Sequence, residues 1–357
     1  MENLIFQGKA QTVLGPVDPE LLGTTLMHEH LLIDESKQFM EPATASERYL
    51  AYQPVQLENL WWVRLHPINN LDNMRFTDEK LAVKESLQFK LEGGNTIVEV
   101  TTGATLGRDP LGLVRISRLT GLNIIMGAGY PIEALHPADL AFRTERDITD
   151  ELIRDITVGV GDTGVRAGII GEIGCSLPLK DGDKKVLRCC AAAQQNTGVA
   201  IYIHPSADNE MVLDIVRILH EAGADLGRII IGHVDISDFS GATIRKILDM
   251  GCNIGFDTFG FEGFIQPPRE SRVVVLNDAG RINDIKDLIA EGYLSKIFIS
   301  QDVATKERLT SYGGTGYAHI IRDLLPIMKI KGISEKESKV LLVDNPKRIL
   351  TLAKPTE

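Results

Sequence analysis

Cysteine is scarce: Cys175, Cys189, Cys190 and Cys252 are the four in 357 residues, and no two form a Cys-x-x-Cys pair. A disulfide framework is therefore excluded, and reduced thiols in a cytoplasmic setting are expected. Positive charge is also short. There are 38 Lys and Arg against 49 Asp and Glu, the net charge is −11, and no basic run stands out. That argues against a nucleic-acid or membrane-surface partner. No apolar run approaches the ~20 residues of a membrane span, and the N-terminus lacks the basic-then-apolar pattern of a signal peptide. No Gly-x-Gly-x-x-Gly loop follows the first strand-like run, which weakens an open, doubly wound nucleotide-binding sheet. What remains is a globular chain with a small-molecule substrate, for which a homodimer stays open. Residues 1–8, Met-Glu-Asn-Leu-Ile-Phe-Gln-Gly, resemble a viral protease recognition site and are set aside as an expression scar. Residues 9–357 are read as one domain.

The stretch that organises the rest is Leu26-Met27-His28-Glu29-His30-Leu31. On a strand, successive side chains alternate between faces, so His28 and His30 point one way and Glu29 the other. Two imidazoles side by side pack poorly but make sense as ligands of one metal ion.

Short β-branched runs recur after it: 96–100, 123–127, 167–171, 199–203, 228–232, 252–256 and 296–300. Helical patterns separate them. Glu79 to Leu91 carries Leu81, Leu87 and Leu91 as its stripe, and Asn209 to Ala222 carries Met211, Val212, Ile215, Ile218 and Leu219, stopped by Gly223. Ile282 to Glu291 runs into Gly292 in the same way. Eight strands alternating with helices, without a low-complexity linker, predict one (β/α)8 TIM barrel. One connection is long. Residues 36–77 form an inserted segment after strand 1, predicted to carry a short helix over 57–64. Such an insertion lies on the catalytic face. It holds both tryptophans, Trp61 and Trp62, either packing it down or lining a pocket.

Functional groups of a barrel emerge at the carboxyl ends of its strands. Those positions hold His28 and His30, then Glu172, His204, His233 and Asp302. Four imidazoles and two carboxylates exceed the four ligands of a tetrahedral zinc. They fit two divalent ions, zinc first and manganese or cobalt as alternatives, sharing a carboxylate and a hydroxide. Other residues carry weaker signals. Tyr130 ends strand 3. Lys306 and Arg308 follow Asp302 and either read an anionic substrate or are solvated. His319 reads as a loop or packing residue, and Cys175 as structural.

The strings HEH, GIIGEIGCS, IHPSAD, IGHVD and SQDVATK resemble the phosphotriesterase family of the amidohydrolase superfamily, from Gln11 to Arg348. The phosphotriesterase-related branch is the most similar, through the NLWW-like, GIIGEIG and YGGTGY-like segments. The resemblance implies that His28, His30 and Asp302 hold one metal and that His204 and His233 hold the other. Glu172 stands where many members bridge the metals with a carboxylated lysine; Lys180 is the alternative bridge. It further implies that Asp302 shuttles the proton, and that Tyr130 matches a position where lactonases of the family can carry a tyrosine facing the metals. The implied function is hydrolysis at a carboxyl centre, a lactone or an N-acyl amide or ester, with phosphotriester hydrolysis as the alternative. A metal-containing binding protein without turnover is the remoter reading. A Schiff-base lysine or a phosphate-binding glycine loop, the marks of an aldolase or isomerase barrel, is not seen.

Overall fold

The computed structural model describes residues 7–236, 239–265 and 273–355. Residues 1–6, part of the segment expected to be an expression scar, lie outside them. Eight parallel strands form one sheet: β1 Thr25–Glu29, β2 Thr96–Glu99, β3 Asn123–Ala128, β4 Ile169–Gly174, β5 Ile201–His204, β6 Ile229–Ile231, β7 Asn253–Phe256 and β8 Ile297–Ile299. Each pairs with the next in sequence, giving the order 8-7-6-5-4-3-2-1. The sheet is nearly closed into a barrel. At the seam, Asp302 N donates to His28 O at 3.2 Å, and His28 N donates to Ser300 Oγ at 2.9 Å. Glu29 completes the closure. Its carboxylate accepts from Ser300 Oγ at 2.7 Å, Gln301 N at 2.8 Å and Val303 N at 3.0 Å.

Alternation along the strands builds two apolar layers. Met27, Val98, Ile125, Ile169, Tyr202, Ile230 and Phe298 fill the barrel, joined at its base by Ala10, Leu22, Ile349 and Leu350. Their neighbours Leu26, Ile97, Ile124, Ile170, Ile201, Ile229 and Ile297 face the helices. Each such side chain contributes ~1.5–3 kcal/mol on burial. In β6 one isoleucine points inward between two that point outward, so a uniform apolar run still has a definite register.

The helices follow their local signals. The helix Asn209–Glu221 starts on Asp208, whose side chain accepts from Glu210 N and Met211 N, and buries Met211, Val212, Ile215, Val216 and Leu219. The helix Glu79–Leu91 departs from the expected stripe. Its inner face is Ala82, Glu85, Ser86 and Phe89, and Leu91 is exposed. Glu85 is buried because it accepts from four donors, the backbone N–H and hydroxyl of Thr310 and of Ser311, at 2.6–3.0 Å, which tie the helix to the loop after β8. The helix predicted from Ile282 begins earlier, at Asp278, because Asn277 caps it through Gly280 N.

The first apolar run also ends sooner than its composition suggests. β1 stops at Glu29, and Ile33–Asp34 pairs antiparallel with Arg75–Phe76, closing the neck of the insertion. The insertion carries two helices, Ala45–Ala51 and Leu60–Val63, around its own small core of Ala51, Val55, Leu60, Trp62 and Val63. Among the described residues, no helix is long and apolar enough to cross a membrane.

Candidate metal centre and active site

Two strands break alternation where the site is built. Between β1 and β2, Leu26 pairs with Ile97 but Glu29 pairs with Glu99, so β1 carries one extra residue. Between β4 and β5, Ile170 pairs with Ile201 and Ile173 with Ile203, again with one extra residue in the first strand. A bulge re-aims the side chains beyond it. Met27 already points into the barrel, yet His28 also does, meeting the inward Tyr202 ring at 4.8 Å. In β4 both Ile170 and Ile173 face the helices, which leaves Glu172 free to turn inward. Gly171 makes room for this: its φ is +130°, and a Cβ there would lie 2.4 Å from Tyr202 O. His233 and Asp302 have φ of 55° and 49°, a left-handed conformation that non-glycine residues rarely adopt and that clusters at functional sites.

The six side chains named from the sequence come together. His28 Nε2 lies 3.4 Å from Glu172 Oε2 and 3.5 Å from Asp302 Oδ1. His30 Nε2 lies 3.4 Å from Glu172 Oε1 and 3.2 Å from Asp302 Oδ1. On the other side, His204 Nδ1 is 2.7 Å and His233 Nε2 3.4 Å from Glu172 Oε2, and the two ring nitrogens are 2.8 Å apart. Three overlapping groups have ligand atoms within 4.8 Å of one another: His28, His233 and Asp302; His28, His30 and Glu172; and Glu172, His204 and His233. Glu172 belongs to two of them, and His28 Nε2 is buried with no hydrogen-bond partner. A buried lone pair with nothing to accept, facing carboxylates and other imidazoles, suits a cation. The donor set fits divalent metal ions. Lys180 is at the N-cap of the helix Asp181–Thr197, beyond the end of β4.

The charges are consistent with this. Burial opposes ionisation of Glu172 and Asp302, yet the surrounding imidazoles hold both well below the usual carboxylate range. Burial also opposes a charged His30, but Asp302 and Glu172 outweigh it and raise the ring to about 9. The same carboxylates favour the protonated forms of His28 and His233.

Several residues behind the ligands were not singled out from the sequence. Asp257, at the end of β7, is fully buried and touches two ligands: His233 Nδ1 lies 2.9 Å from Oδ1, and His28 Nδ1 lies 3.6 Å from Oδ2. Tyr202 Oη and His233 N also donate to it, at 2.6 and 2.9 Å. A carboxylate behind a ligand ring fixes its tautomer and makes the other nitrogen more basic. His30 Nδ1 has Thr101 Oγ1 at 2.8 Å, and Thr101 in turn donates to Glu99. The available signal for Asp257 was its place at a strand end, like the ligands themselves.

The weaker candidates separate. Tyr130 is buried, but its hydroxyl donates to Glu151 at 2.8 Å and accepts from Arg143 at 3.3 Å, so it is committed to those two. Trp62 is buried in the core of the insertion and stacks on His66 at 4.8 Å, whereas Trp61 is 63% exposed. Arg308 is not solvated. It is 7% exposed, donates to Phe259 O and Gln301 O, and lies over the Phe261 ring. Lys306 pairs with Asp72 of the insertion at 2.6 Å. His319 is held between Asp278 and Asp323.

A (β/α)8 barrel carrying polar donors of this kind at the carboxyl ends of its strands is a hydrolase scaffold. The chain belongs to the phosphotriesterase family, whose sequence model matches residues 8–350. It is 38% identical to an N-acetyltaurine hydrolase of Dictyostelium discoideum, over 97% of this chain and 99% of that protein. A phosphotriesterase-related protein of Nematostella vectensis is 38% identical over 96% and 99%. The crystal structure of a resiniferatoxin-binding protein from Rhodobacter sphaeroides superposes with a TM-score of 0.91 at 34% identity, covering 96% of this chain and 95% of that one. The protein is thus a phosphotriesterase-family hydrolase.

Proposed function

We propose that the protein is a two-metal hydrolase that cleaves the amide of a short N-acylated amine, N-acetyltaurine or a close analogue. The observation that carries the two-metal reading is the split of one carboxylate. Glu172 Oε1 faces His30, while Oε2 faces His204 and His233 and also lies 3.4 Å from His28 Nε2, between the two groups. His28, His30 and Asp302 would hold one cation, His204 and His233 the other, and Glu172 both. Divalent cations there, zinc first and manganese or cobalt as alternatives, would polarise the scissile carbonyl and acidify a water. The chain's own groups do the rest. Asp302 keeps 20% of its side chain accessible while Oδ1 faces His28 and His30, so its carboxylate can take a proton from the attacking water and return it to the leaving nitrogen. Asp257 keeps His28 and His233 oriented while this happens. The amide is favoured because relatives named N-acetyltaurine hydrolase match over nearly the whole chain.

The test is a substrate panel run on protein of measured metal content: N-acetyltaurine, N-acyl amines without a sulfonate, γ-lactones and aryl phosphotriesters. Release of taurine from N-acetyltaurine, abolished by chelation and restored by metal, is the expected result. Turnover of lactones or phosphotriesters alone would overturn the amide assignment.

A further inference from the structure

The middle residue of the His28-Glu29-His30 run supplies none of the six donors, yet it is fully buried. A buried carboxylate needs donors for its oxygens, and the donors it meets show what it holds. Those of Glu29 all lie on one short piece of chain. Oε1 accepts from Ser300 Oγ at 2.7 Å and Gln301 N at 2.8 Å, and Oε2 accepts from Val303 N at 3.0 Å. The two backbone groups are those on either side of Asp302.

The backbone there is shaped for this contact. In an extended strand, neighbouring N–H groups point to opposite edges. Beyond β8, three successive ones turn towards β1: Gln301 N and Val303 N to the Glu29 carboxylate, and Asp302 N to His28 O at 3.2 Å. That convergence needs a residue off the strand conformation, and Asp302 is that residue, with φ of 49°. Successive N–H groups gathered around an anion in this way form a nest. A non-glycine residue persists in the left-handed region only where its surroundings over-determine it. Among the described residues β1 and β8 do not pair as strands, so a ladder does not fix this segment from the β1 side. Gln301 has other anchors: Arg308 on its carbonyl, and Gly316 O and Ile320 N on its side chain. They grip the residue before Asp302. The residue after it is held through Val303 N by Glu29. Ser300 extends the contact to the other strand, because its Oγ accepts from His28 N at 2.9 Å while donating to Glu29.

We propose that Glu29 is a positioning residue for Asp302: by holding the N–H groups on both sides of it, the carboxylate fixes the left-handed turn that aims Asp302 Oδ1 at His28 and His30. The assignment rests on the role given to Asp302 in the hydrolase reading above. It separates the acid of the His-Glu-His run from ligation. Glu29 ties the strand that carries two ligand rings to the residue of β8 that would share their cation and move the proton.

The test is a double-mutant cycle on the full-length protein: wild type, Glu29→Gln, Asp302→Asn and the two together. Whichever way the Gln amide turns, its NH2 faces one of the two backbone N–H groups that flank Asp302. Zinc affinity is read by competition with a chromophoric chelator, and kcat and KM are read with N-acetyltaurine at full zinc occupancy. Glu29→Gln alone should weaken zinc binding by about tenfold or more. It should lower kcat by about 10–100-fold, the range a small misplacement of a reacting group can cost, with KM within a few-fold. In the Asp302→Asn background the same change should cost no more than about threefold in either quantity, because the group it positions is already gone. A residue that serves the fold alone would cost the same in both backgrounds. Equal losses in the two backgrounds, or a folded Glu29→Gln protein with wild-type zinc affinity and kcat, would overturn the proposal. Glu29→Asp keeps the charge but draws the carboxylate back by one methylene, and it is carried through the same cycle beside Glu29→Gln. If circular dichroism shows neither variant folded, Glu29 closes the barrel rather than placing Asp302, and the proposal falls. The two readings fail separately. Non-additive zinc affinities without turnover of N-acetyltaurine remove the amide assignment and leave the clamp standing. Turnover with additive losses removes the clamp and leaves the hydrolase.

Discussion

Replacing Asp257 with Asn tests whether the ligand rings are held from behind. The carboxylate is fully buried and accepts from Tyr202 Oη at 2.6 Å and His233 N at 2.9 Å, with His233 Nδ1 also 2.9 Å away. An amide is nearly the same shape but offers one acceptor oxygen and an NH2 group that donates. The NH2 would face either the His233 N–H groups or the Tyr202 hydroxyl, and one bond to a charged acceptor would be lost. Such bonds are worth ~1.5–3 kcal/mol. Loss of a group behind a metal ligand typically costs ~10–100-fold in metal affinity, or roughly 1.4–2.7 kcal/mol. Metal affinity is measured by competition with a chromophoric chelator, and folding by circular dichroism of the metal-free protein. The expected outcome is a folded Asp257→Asn protein whose metal affinity falls within that range. A folded variant with wild-type affinity would refute the reasoning.

Glu172→Gln keeps the shape of the shared ligand but removes its charge, so a folded protein with most of its metal and nearly all of its hydrolysis lost is expected from elemental analysis and a turnover assay. Asp302→Asn separates ligation from proton transfer. General acid–base transfer is worth ~10²–10⁴-fold, and a kcat loss of that order should persist when excess metal restores full occupancy; a rate within a few-fold of wild type would leave Asp302 only a ligand. The His30 ring, raised from its ordinary value of 6.5 to about 9, sets a pH dependence in the metal-free protein. Its contribution to stability is complete below pH 6.5 and is lost as pH rises through about 9. Metal must displace that proton, so calorimetry in buffers of different ionisation enthalpy should show proton release on metal binding at pH 7–8.

The donors were legible in the sequence because each is a polar residue within or at the end of a short apolar run, and barrel topology brings every strand end to one face. The barrel was legible for the same reason. What alternation did not show was how His28 and Glu172 reach the interior. Each lies on a strand with one extra residue, and a bulge leaves no mark in hydrophobic periodicity; Gly171 was the only local hint. Asp257 stood at a strand end but reads in sequence like any acid that finishes a strand, because its role depends on two rings from other strands. The Glu79–Leu91 helix was read with its observed bounds, but its buried stripe was misread for a related reason. Its buried Glu85 is satisfied by Thr310 and Ser311, residues more than two hundred positions away. Arg308 looked solvated because nothing in its neighbourhood announces the two carbonyls and the ring that bury it.

The shared carboxylate is the centre of the account, and metal stoichiometry tests it most directly. Metal-free protein is titrated with zinc and desalted, and bound metal is counted by elemental analysis against protein concentration. Two ions per chain are predicted, falling towards one or none in Glu172→Gln. A wild-type value near one at saturation would contradict a centre in which Glu172 Oε1 and Oε2 serve separate cations.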